Sequence, residues 1–190
     1  MRHITLISTG GTIEKTYDER TGSLDNRHSI VHHMLAQLRL EDLAVNTVQL
    51  FQKDSLDLTD NDRRKILDMV RLLIDSDDPG EAGDARDAEP GGSDRIDGVV
   101  ILVILHGTDT LCATGDLLHN ELRTPRVPVV LTGAMRPFEM QRADALQNLN
   151  EAIFATGVLE PGIWCAAHGR ALRFPGVCKD RDRSTFVRTG

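Results

Sequence analysis

Two threonines in this sequence follow glycine directly, where a hydroxyl group could do chemistry. Thr12 ends the stretch "STGGT" after an apolar run, and Thr108 lies in "HGTDT" beside Asp109. A threonine hydroxyl is a weak nucleophile near neutral pH unless a base or a polarising network helps to remove its proton. The pattern therefore indicates nucleophilic chemistry if the fold places such a base or polarising network beside the hydroxyl. The alternative is a structural role, in which Thr12 caps a turn and Asp109 caps the helix that follows.

Apolar runs rich in β-branched residues are the elements that could position these hydroxyls. The runs are Ile4–Ile7, Val45–Phe51, Gly98–Leu105, Val127–Leu131 and Gly162–Ala167. Because helix-like segments separate several of them, we predict a three-layer α/β/α fold with a mainly parallel, doubly wound sheet. The run "VVILVIL" is apolar at every position, which indicates a central strand covered on both faces. Ligands of such sheets bind beyond the carboxyl ends of the strands, where both threonines lie.

Two segments have the apolar spacing of amphipathic helices. The first, "LTDNDRRKILDMVRLLIDSD", has Thr59 as a candidate N-cap, and the second, "RADALQNLNEAIFATG", ends at Gly157, a candidate C-terminal cap.

Residues 77–95 contain no large apolar side chain and many Gly, Pro, Asp and Ala residues, so we predict a mobile loop there. We expect residues 1–190 to form a single domain with this loop as an insertion.

Composition and charge exclude several classes of function. The net charge is -7, from 22 Lys and Arg against 29 Asp and Glu, and no basic stripe is present, so nucleic acid is not an expected partner. No apolar run approaches the ~20 residues that span a bilayer, so no membrane association is expected. The N-terminal "ITLI" is too short for a secretory signal, which predicts a cytoplasmic location.

Metal and cofactor chemistry is also not expected. The three cysteines, Cys112, Cys165 and Cys178, lack CxxC spacing and are predicted to be reduced structural thiols. The histidines lack HExxH or comparable ligand spacing. The phosphate-binding GxGxxG and GxxxxGK[ST] loops and the GxSxG nucleophile turn are absent.

Three segments in a fixed order, "TGGTI", "HGTDT" and "TGAMRP", resemble the bacterial-type L-asparaginase family, whose members hydrolyse the side-chain amide of asparagine. In addition, "KDSLDLTDND" looks like the family's serine-containing substrate loop, and "CKDRDRSTF" resembles the segment that supplies its active-site lysine. The resemblance runs from residue 3 to about residue 186 and corresponds to the family's N-terminal domain. It identifies the chain as a short-form member of the family.

The resemblance implies catalytic roles for five residues. Thr12 matches the nucleophile that forms an acyl-enzyme and releases ammonia. Tyr17, the only tyrosine of the chain, resembles the residue that activates this threonine. Thr108, Asp109 and Lys179 look like a second triad, in which lysine and aspartate polarise a threonine or a water molecule.

Substrate contacts are implied at four positions. Ser55 and Asp109 resemble the residues that hold the α-carboxylate and α-amino groups of the substrate, and the backbone at Ala134 matches a contact to its side-chain amide. Gly11 is expected to admit the substrate close to the main chain. No cofactor is implied, and the family resemblance predicts a homo-oligomer.

The sequence departs from the family pattern in two respects. Leu56 follows the serine where longer enzymes commonly have a glutamine that helps to bind the α-amino group. We find no match to the smaller C-terminal domain, from which a neighbouring subunit's carboxylate supports the tyrosine; Glu14 or Asp18 could substitute for it.

The expected function is hydrolysis of L-asparagine to L-aspartate and ammonia. Leu56 and the unmatched domain leave two alternatives open. The first is an amidase that acts on glutamine or on an amide within a larger molecule. The second is a non-catalytic amino-acid-binding module that retains the fold.

Overall fold

A computed structural model of the chain describes residues 1–75 and 100–189. The mobile loop predicted at residues 77–95 lies outside the described residues, as do the first two residues of the predicted strand Gly98–Leu105. No helix within the described ranges is both long enough and apolar enough to cross a membrane.

Strands and helices alternate along the middle of the described chain, and four strands follow one another at its end. The strands are β1 (Arg2–Gly10), β2 (Thr16–Asp18), β3 (Ser23–Asp25), β4 (Leu43–Lys53), β5 (Val100–Leu105), β6 (Pro128–Thr132), β7 (Gly162–Ala167), β8 (Arg170–Arg173), β9 (Val177–Asp180) and β10 (Thr185–Arg188). The α-helices are α1 (Val31–Leu35), α2 (Asp60–Asp75), α3 (Leu111–Leu122) and α4 (Ala145–Ala155), and short 3-10 helices cover Thr12–Glu14 and Ser55–Asp57.

The main sheet of the described chain has six strands in the order β4-β1-β5-β6-β7-β8. Its first four neighbouring pairs are parallel, and β8 joins β7 antiparallel at the edge. The chain leaves β1 for β4 on one side and then crosses to β5 on the other, so the topological switch point lies between β1 and β5. The predicted mainly parallel, doubly wound α/β fold is confirmed, and Val100–Leu105 of the run "VVILVIL" forms the central strand β5.

Successive residues of β5 face opposite sides of the sheet and thereby build two cores. Leu102 and Ile104 point to one side, Val103 and Leu105 to the other, and all four are fully buried. The first pair packs with residues of α2 and α3, among them Ile66, Val70, Leu111 and Leu118. The second pair packs with residues of α1 and α4, among them Val31, Met34, Leu149 and Ile153. The sheet is therefore covered by helices on both faces.

The two predicted helix caps have different outcomes. Thr59 caps α2, because its hydroxyl accepts a hydrogen bond from the Asp62 backbone N–H at 3.2 Å, while its own N–H donates to the Asp62 carboxylate at 3.0 Å. The cap predicted at Gly157 is wrong, since α4 ends at Ala155 with Thr156 as its C-cap in right-handed conformation, and Gly157 does not have a positive φ. A Cβ at Gly157 would lie 2.0 Å from Nη1 of Arg2, the end of a flexible side chain that would have to move.

His106, directly after β5, is fully buried and carries no charge at neutral pH. Its Nδ1 lies 2.8 Å from the Gly107 carbonyl oxygen and its Nε2 lies 2.9 Å from the Thr114 hydroxyl. Both ring nitrogens are satisfied if Nδ1–H donates to the carbonyl and Nε2 accepts from threonine. Burial lowers the pKa of His106 to about 4, because desolvation penalises the imidazolium.

This buried histidine should make folding pH-dependent between pH 6.5 and pH 4. The folded state keeps His106 neutral there while the unfolded chain takes up a proton, so stability should fall as pH falls, by at most about 3 kcal/mol. Urea denaturation of the wild type and of His106→Gln at a series of pH values measures this. The variant should lose less stability over that range, whereas the exposed-histidine control His28→Gln should follow the wild type. Parallel pH curves for the wild type and His106→Gln would contradict the assignment.

Candidate active site

The turns that follow β1, β4, β5 and β6 meet at the carboxyl edge of the sheet, backbone against backbone. A Cβ added to Gly11 would lie 2.4 Å from the Cα of Gly107, and one added to Gly107 would lie 2.6 Å from the Ser55 hydroxyl oxygen. A Cβ at Gly133 would lie 2.2 Å from the carbonyl oxygen of His106. Only glycine fits at these contacts. The glycines of "TGGTI", "HGTDT" and "TGAMRP" therefore allow the turns that contain these segments to pack directly against one another.

Gly11 also needs to be glycine because of its backbone conformation. Its φ of 83° and ψ of -177° lie in a region that is essentially restricted to glycine. This turn starts the 3-10 helix Thr12–Glu14 and leaves Thr12 half-buried beside the contact with Gly107. Thr12 therefore lies where the sequence predicted it, at the end of β1 next to the turn after β5.

Lys179 reaches both polar side chains of the "HGTDT" turn. Its Nζ donates to the Thr108 hydroxyl at 2.7 Å and to Asp109 Oδ1 at 3.1 Å. Thr108 is 3% exposed, and the side chains of Lys179 and Asp109 are 16% and 23% exposed. The structure thus brings the three residues of the predicted second triad into direct contact, in surroundings that shield the charges from water.

The alternative role of Asp109 as a helix cap does not hold in this structure. The N-cap position of α3 is Thr110, and no side chain caps that helix. The Thr110 hydroxyl instead donates to the Ser55 carbonyl oxygen at 2.8 Å, which ties the turn after β4 to the turn after β5.

Arg181 is a second cation on the same carboxylate. Its Nη2 lies 2.9 Å from Asp109 Oδ1, and its side chain is 71% exposed. The run "KDRDR" has the pattern of a solvated face in the sequence, so this contact was missed. No local sequence signal marks the contact, because Arg181 lies in the turn that follows β9 and Asp109 lies far away in the sequence.

Ser55 and Ala134, two predicted substrate-binding residues, are both buried. Ser55 starts its 3-10 helix, is 1% exposed and packs beneath Gly107. Ala134 is fully buried in the turn after β6. Leu56, in contrast, is 67% exposed and offers no polar side-chain atom.

Tyr17 lies on the β2–β3 hairpin and is not in hydrogen-bond contact with Thr12. Its side chain is 56% exposed, and it lines a surface cavity with Leu24, Glu139 and Met140. Its backbone N–H donates to the Glu139 carboxylate at 2.7 Å. Within the described ranges no hydrogen bond joins the hydroxyls of Tyr17 and Thr12.

The two carboxylates suggested as supports for Tyr17 are engaged elsewhere. Glu14 is buried and accepts hydrogen bonds from the hydroxyls of Ser8 and Ser29. Asp18 accepts from Thr21 and pairs with Arg27, and hydrogen bonds from Thr21 and the Arg20 backbone lower the pKa of Asp18. Sequence reasoning missed Glu139, which is the carboxylate that contacts the Tyr17 backbone.

Asp144 fixes the turn that contains Ala134. Its two carboxylate oxygens accept from the backbone N–H groups of Met135 and Arg136, each at 2.9 Å. Burial acts to raise the pKa of Asp144, but hydrogen bonds from Met135, His168 and Arg136 outweigh it, and the pKa is lowered. The carboxylate therefore stays ionised and holds the turn.

The same carboxylate connects this turn to the hairpin that carries Lys179. His168 Nε2 lies 2.8 Å from Asp144 Oδ2, and His168 Nδ1 lies 2.9 Å from the Thr185 hydroxyl on β10. Because β10 pairs with β9, the chain of hydrogen bonds links the turn after β6 to Lys179. No sequence motif marks His168 as a site residue. Among the described residues, no group of three or more His, Cys, Asp or Glu side chains is arranged to hold a metal ion.

The three cysteines are free thiols, and Cys112 interacts with the backbone of Lys179. Cys165 is buried, while Cys112 and Cys178 are half-buried. Burial raises the pKa of Cys112 to about 12, so this thiol is protonated and unreactive at neutral pH.

Comparison with known proteins identifies a family by sequence. Residues 3–79 and 89–184 match the family described as "Asparaginase, N-terminal". A subunit of the glutamyl-tRNA(Gln) amidotransferase from Methanobrevibacter smithii is 32% identical over 154 residues, which are 81% of this chain and 30% of that protein. An L-asparaginase from Thermococcus kodakarensis is 44% identical over 73 residues, which are 38% of this chain and 21% of that protein.

Solved structures agree with the sequence comparison. The thermostable L-asparaginase from Thermococcus kodakarensis superposes with a TM-score of 0.71 at 26% identity, over 93% of this chain and 47% of that one. The chain therefore spans less than half the length of each protein with which it is compared.

The glycine contact predicts a large stability loss for Gly11→Ala. This backbone region costs a residue with a side chain about 1–3 kcal/mol, and forcing a methyl group into packed backbone costs about 1–3 kcal/mol more. We therefore expect the free energy of unfolding to fall by roughly 2–6 kcal/mol. Urea denaturation followed by circular dichroism measures it.

Gly169→Ala is the matched control for this prediction. Gly169 has a φ of 75° but nothing within 4 Å of a Cβ, so it should lose only the conformational part, about 1–2 kcal/mol. Equal losses in the two variants would show that the contact with Gly107 is not tight.

Proposed function

Because the chain belongs to the asparaginase family, whose N-terminal domain it matches, we propose that it hydrolyses the side-chain amide of L-asparagine to L-aspartate and ammonia. One observation carries the proposal. Lys179 Nζ donates to both Thr108 and Asp109 at the sheet edge where the Gly11 turn meets the Gly107 turn. A cation, a carboxylate and two threonine hydroxyls in one place are the groups that acyl transfer through a hydroxyl needs.

In the first step, the hydroxyl oxygen of Thr12 attacks the carbon of the substrate amide. The C–N bond breaks, the nitrogen leaves as ammonia after taking a proton, and the aspartyl group stays on Thr12 as an ester. Backbone N–H groups of the strand-end turns, including the turn at Ala134, are available to stabilise the negative oxygen of the tetrahedral intermediate.

In the second step, a water molecule attacks the ester and releases aspartate, and Thr12 recovers its proton. We assign the polarisation of this water to Thr108, whose hydroxyl is held by Lys179 at 2.7 Å. A neighbouring cation favours the deprotonated form of the group that it contacts. Asp109 holds Lys179 in place and is the proposed partner of the substrate's α-ammonium group.

Tyr17 stays the predicted activator of Thr12, although its hydroxyl does not contact Thr12 in this structure. Its hairpin, β2–β3, joins the main body through the contact between the Tyr17 backbone and Glu139. For Tyr17 to act on Thr12, this exposed side chain must turn toward the sheet edge when substrate binds.

A second candidate function is amide hydrolysis of glutamine or of an amide within a larger molecule. The observation in its favour is that a relative named as an amidotransferase subunit is 32% identical over 81% of the chain. The values of kcat/KM for asparagine and glutamine distinguish the two, since the proposed function requires the larger value for asparagine.

A cytoplasmic location and a homo-oligomeric assembly belong to the same proposal. Size-exclusion chromatography with light scattering measures the assembly, and a mass of one chain at micromolar concentration would refute the oligomer.

Substitution of the nucleophile should abolish turnover. We expect Thr12→Ala to lower kcat for asparagine by about 1,000-fold or more, because the ester cannot form. Thr12→Ser should keep part of the activity, since it keeps the hydroxyl. Thr124→Ala is the control, because Thr124 is exposed and precedes β6 at the opposite edge of the sheet. Ammonia release measures all four proteins, and equal rates in the wild type and Thr12→Ala would refute the role.

Removal of the lysine charge should slow the reaction without removing the nucleophile. Lys179→Met keeps the length of the side chain but not its ammonium group, and we expect kcat to fall by about 100-fold or more. Lys65→Met, on the helix α2, is the control and should retain wild-type rates. An unchanged kcat in Lys179→Met would exclude Lys179 from the chemistry.

A further inference from the structure

His168 is a polar residue beside the site to which the proposed mechanism gives no part. Its Nδ1 lies 2.9 Å from the Thr185 hydroxyl, and its Nε2 lies 2.8 Å from Asp144 Oδ2. Its backbone N–H donates to the side chain of the buried Asn148 at 3.1 Å. The main chain and the imidazole of His168 are therefore held by different partners, and the imidazole alone connects the start of α4 to β10.

The hydrogen bonds through this imidazole run in one direction. Arg170 can only donate, so its Nη2 donates to the Thr185 hydroxyl oxygen at 2.9 Å. The hydroxyl proton of Thr185 then serves Nδ1 of His168, and the ring proton lies on Nε2 and is donated to Asp144. This polar chain starts at a cation and ends at a carboxylate, and hydrogen bonds to charged groups are stronger than those between neutral groups.

The two ends of the polar chain lie on the two flanks of the site. At one end, Asp144 holds the turn after β6 through two backbone N–H groups. At the other end, Thr185 lies on β10, and the next residue, Phe186, is opposite Lys179 on β9. Arg170 also donates to the Phe186 carbonyl oxygen at 2.7 Å. The polar chain therefore connects the turn after β6 to the hairpin that carries Lys179.

The β9–β10 hairpin needs such contacts to be held in one place. Within the described residues, β9 and β10 form a two-stranded sheet of their own and are not strands of the main sheet. A two-stranded hairpin alone is marginally stable at best. Val177 and Phe186 anchor it in the core, but apolar packing is non-directional, whereas hydrogen bonds have defined lengths and angles. The polar chain is thus suited to fix where Lys179 lies relative to Thr108.

We propose that His168 is a positioning residue for the amide hydrolysis, which keeps the ammonium group of Lys179 at hydrogen-bond distance from Thr108. The inference rests on the proposed function, because it takes Lys179 as the cation of that reaction. His168 acts through Thr185 and Asp144 and not by contact with the substrate. Its loss slows the steps that depend on Lys179 and leaves the nucleophile in place.

A double-mutant cycle in ammonia release tests the proposal. His168→Asn removes the imidazole, and asparagine tolerates the φ of 54° at this position. Thr185→Val breaks the same polar chain on β10 and keeps a β-branched residue in the strand. Each variant should lower kcat for asparagine about tenfold with KM within about twofold, because a misplaced Lys179 slows the chemical step. The double variant should lie within about twofold of the slower single variant.

The Lys179→Met background distinguishes positioning from a general structural role. Because His168 acts through Lys179, adding His168→Asn to Lys179→Met should change kcat less than about twofold. A further tenfold loss in that background would overturn the proposal. Multiplying losses in the His168→Asn, Thr185→Val double variant, or wild-type kcat in both single variants, would overturn it as well. His28→Asn is the matched control, since His28 is exposed, and it should keep the wild-type kcat and KM.

Hydrogen exchange followed by mass spectrometry separates this proposal from the proposed function. In His168→Asn, the amides of residues 177–188 should exchange about tenfold faster than in the wild type, while those of β1 and β5 stay unchanged. If the wild type hydrolyses no amide but the hairpin exchanges faster in the variant, the proposed function fails, and His168 still positions the hairpin. If the wild type hydrolyses asparagine and the variant has the same kcat, only the His168 proposal fails. If the wild type is inactive and exchange is unchanged, both fail.

Discussion

The backbone contact between Gly11 and Gly107 sets how closely the two threonine-bearing turns approach each other at the sheet edge. A single Cβ at Gly11 would lie 2.4 Å from the Gly107 Cα, so any side chain there would push the turn after β1 away from the turn after β5. Gly107 in turn packs on Ser55, which brings the turn after β4 into the same cluster. The parallel sheet delivers these turns to one edge, and the glycines reduce the remaining separation.

Two connections then hold the polar groups within this cluster. Lys179 reaches in from the β9–β10 hairpin and contacts Thr108 and Asp109. Asp144, through His168 and Thr185, ties that hairpin to the turn after β6. Because each link is a hydrogen bond between residues far apart in sequence, the site depends on the completed fold.

The fold was largely predictable from the sequence, because a central parallel strand must be apolar at every position and "VVILVIL" satisfies this requirement. The strands β8, β9 and β10 were not predicted, since they are four residues long and have mixed polarity. Lys179 was found only by resemblance. Arg181 and Asp144 were missed as site residues, because Arg181 contacts Asp109 and Asp144 contacts His168 across long sequence separations that no local pattern marks.

A crystal structure of the protein with bound L-aspartate would test the proposed mechanism most directly, because it locates the product relative to both turns. We expect the side-chain carboxylate of aspartate within hydrogen-bond distance of the hydroxyls of Thr12 and Thr108, and its α-ammonium on Asp109. Aspartate bound elsewhere, for example in the cavity beside Tyr17 and Met140, would contradict the proposed mechanism.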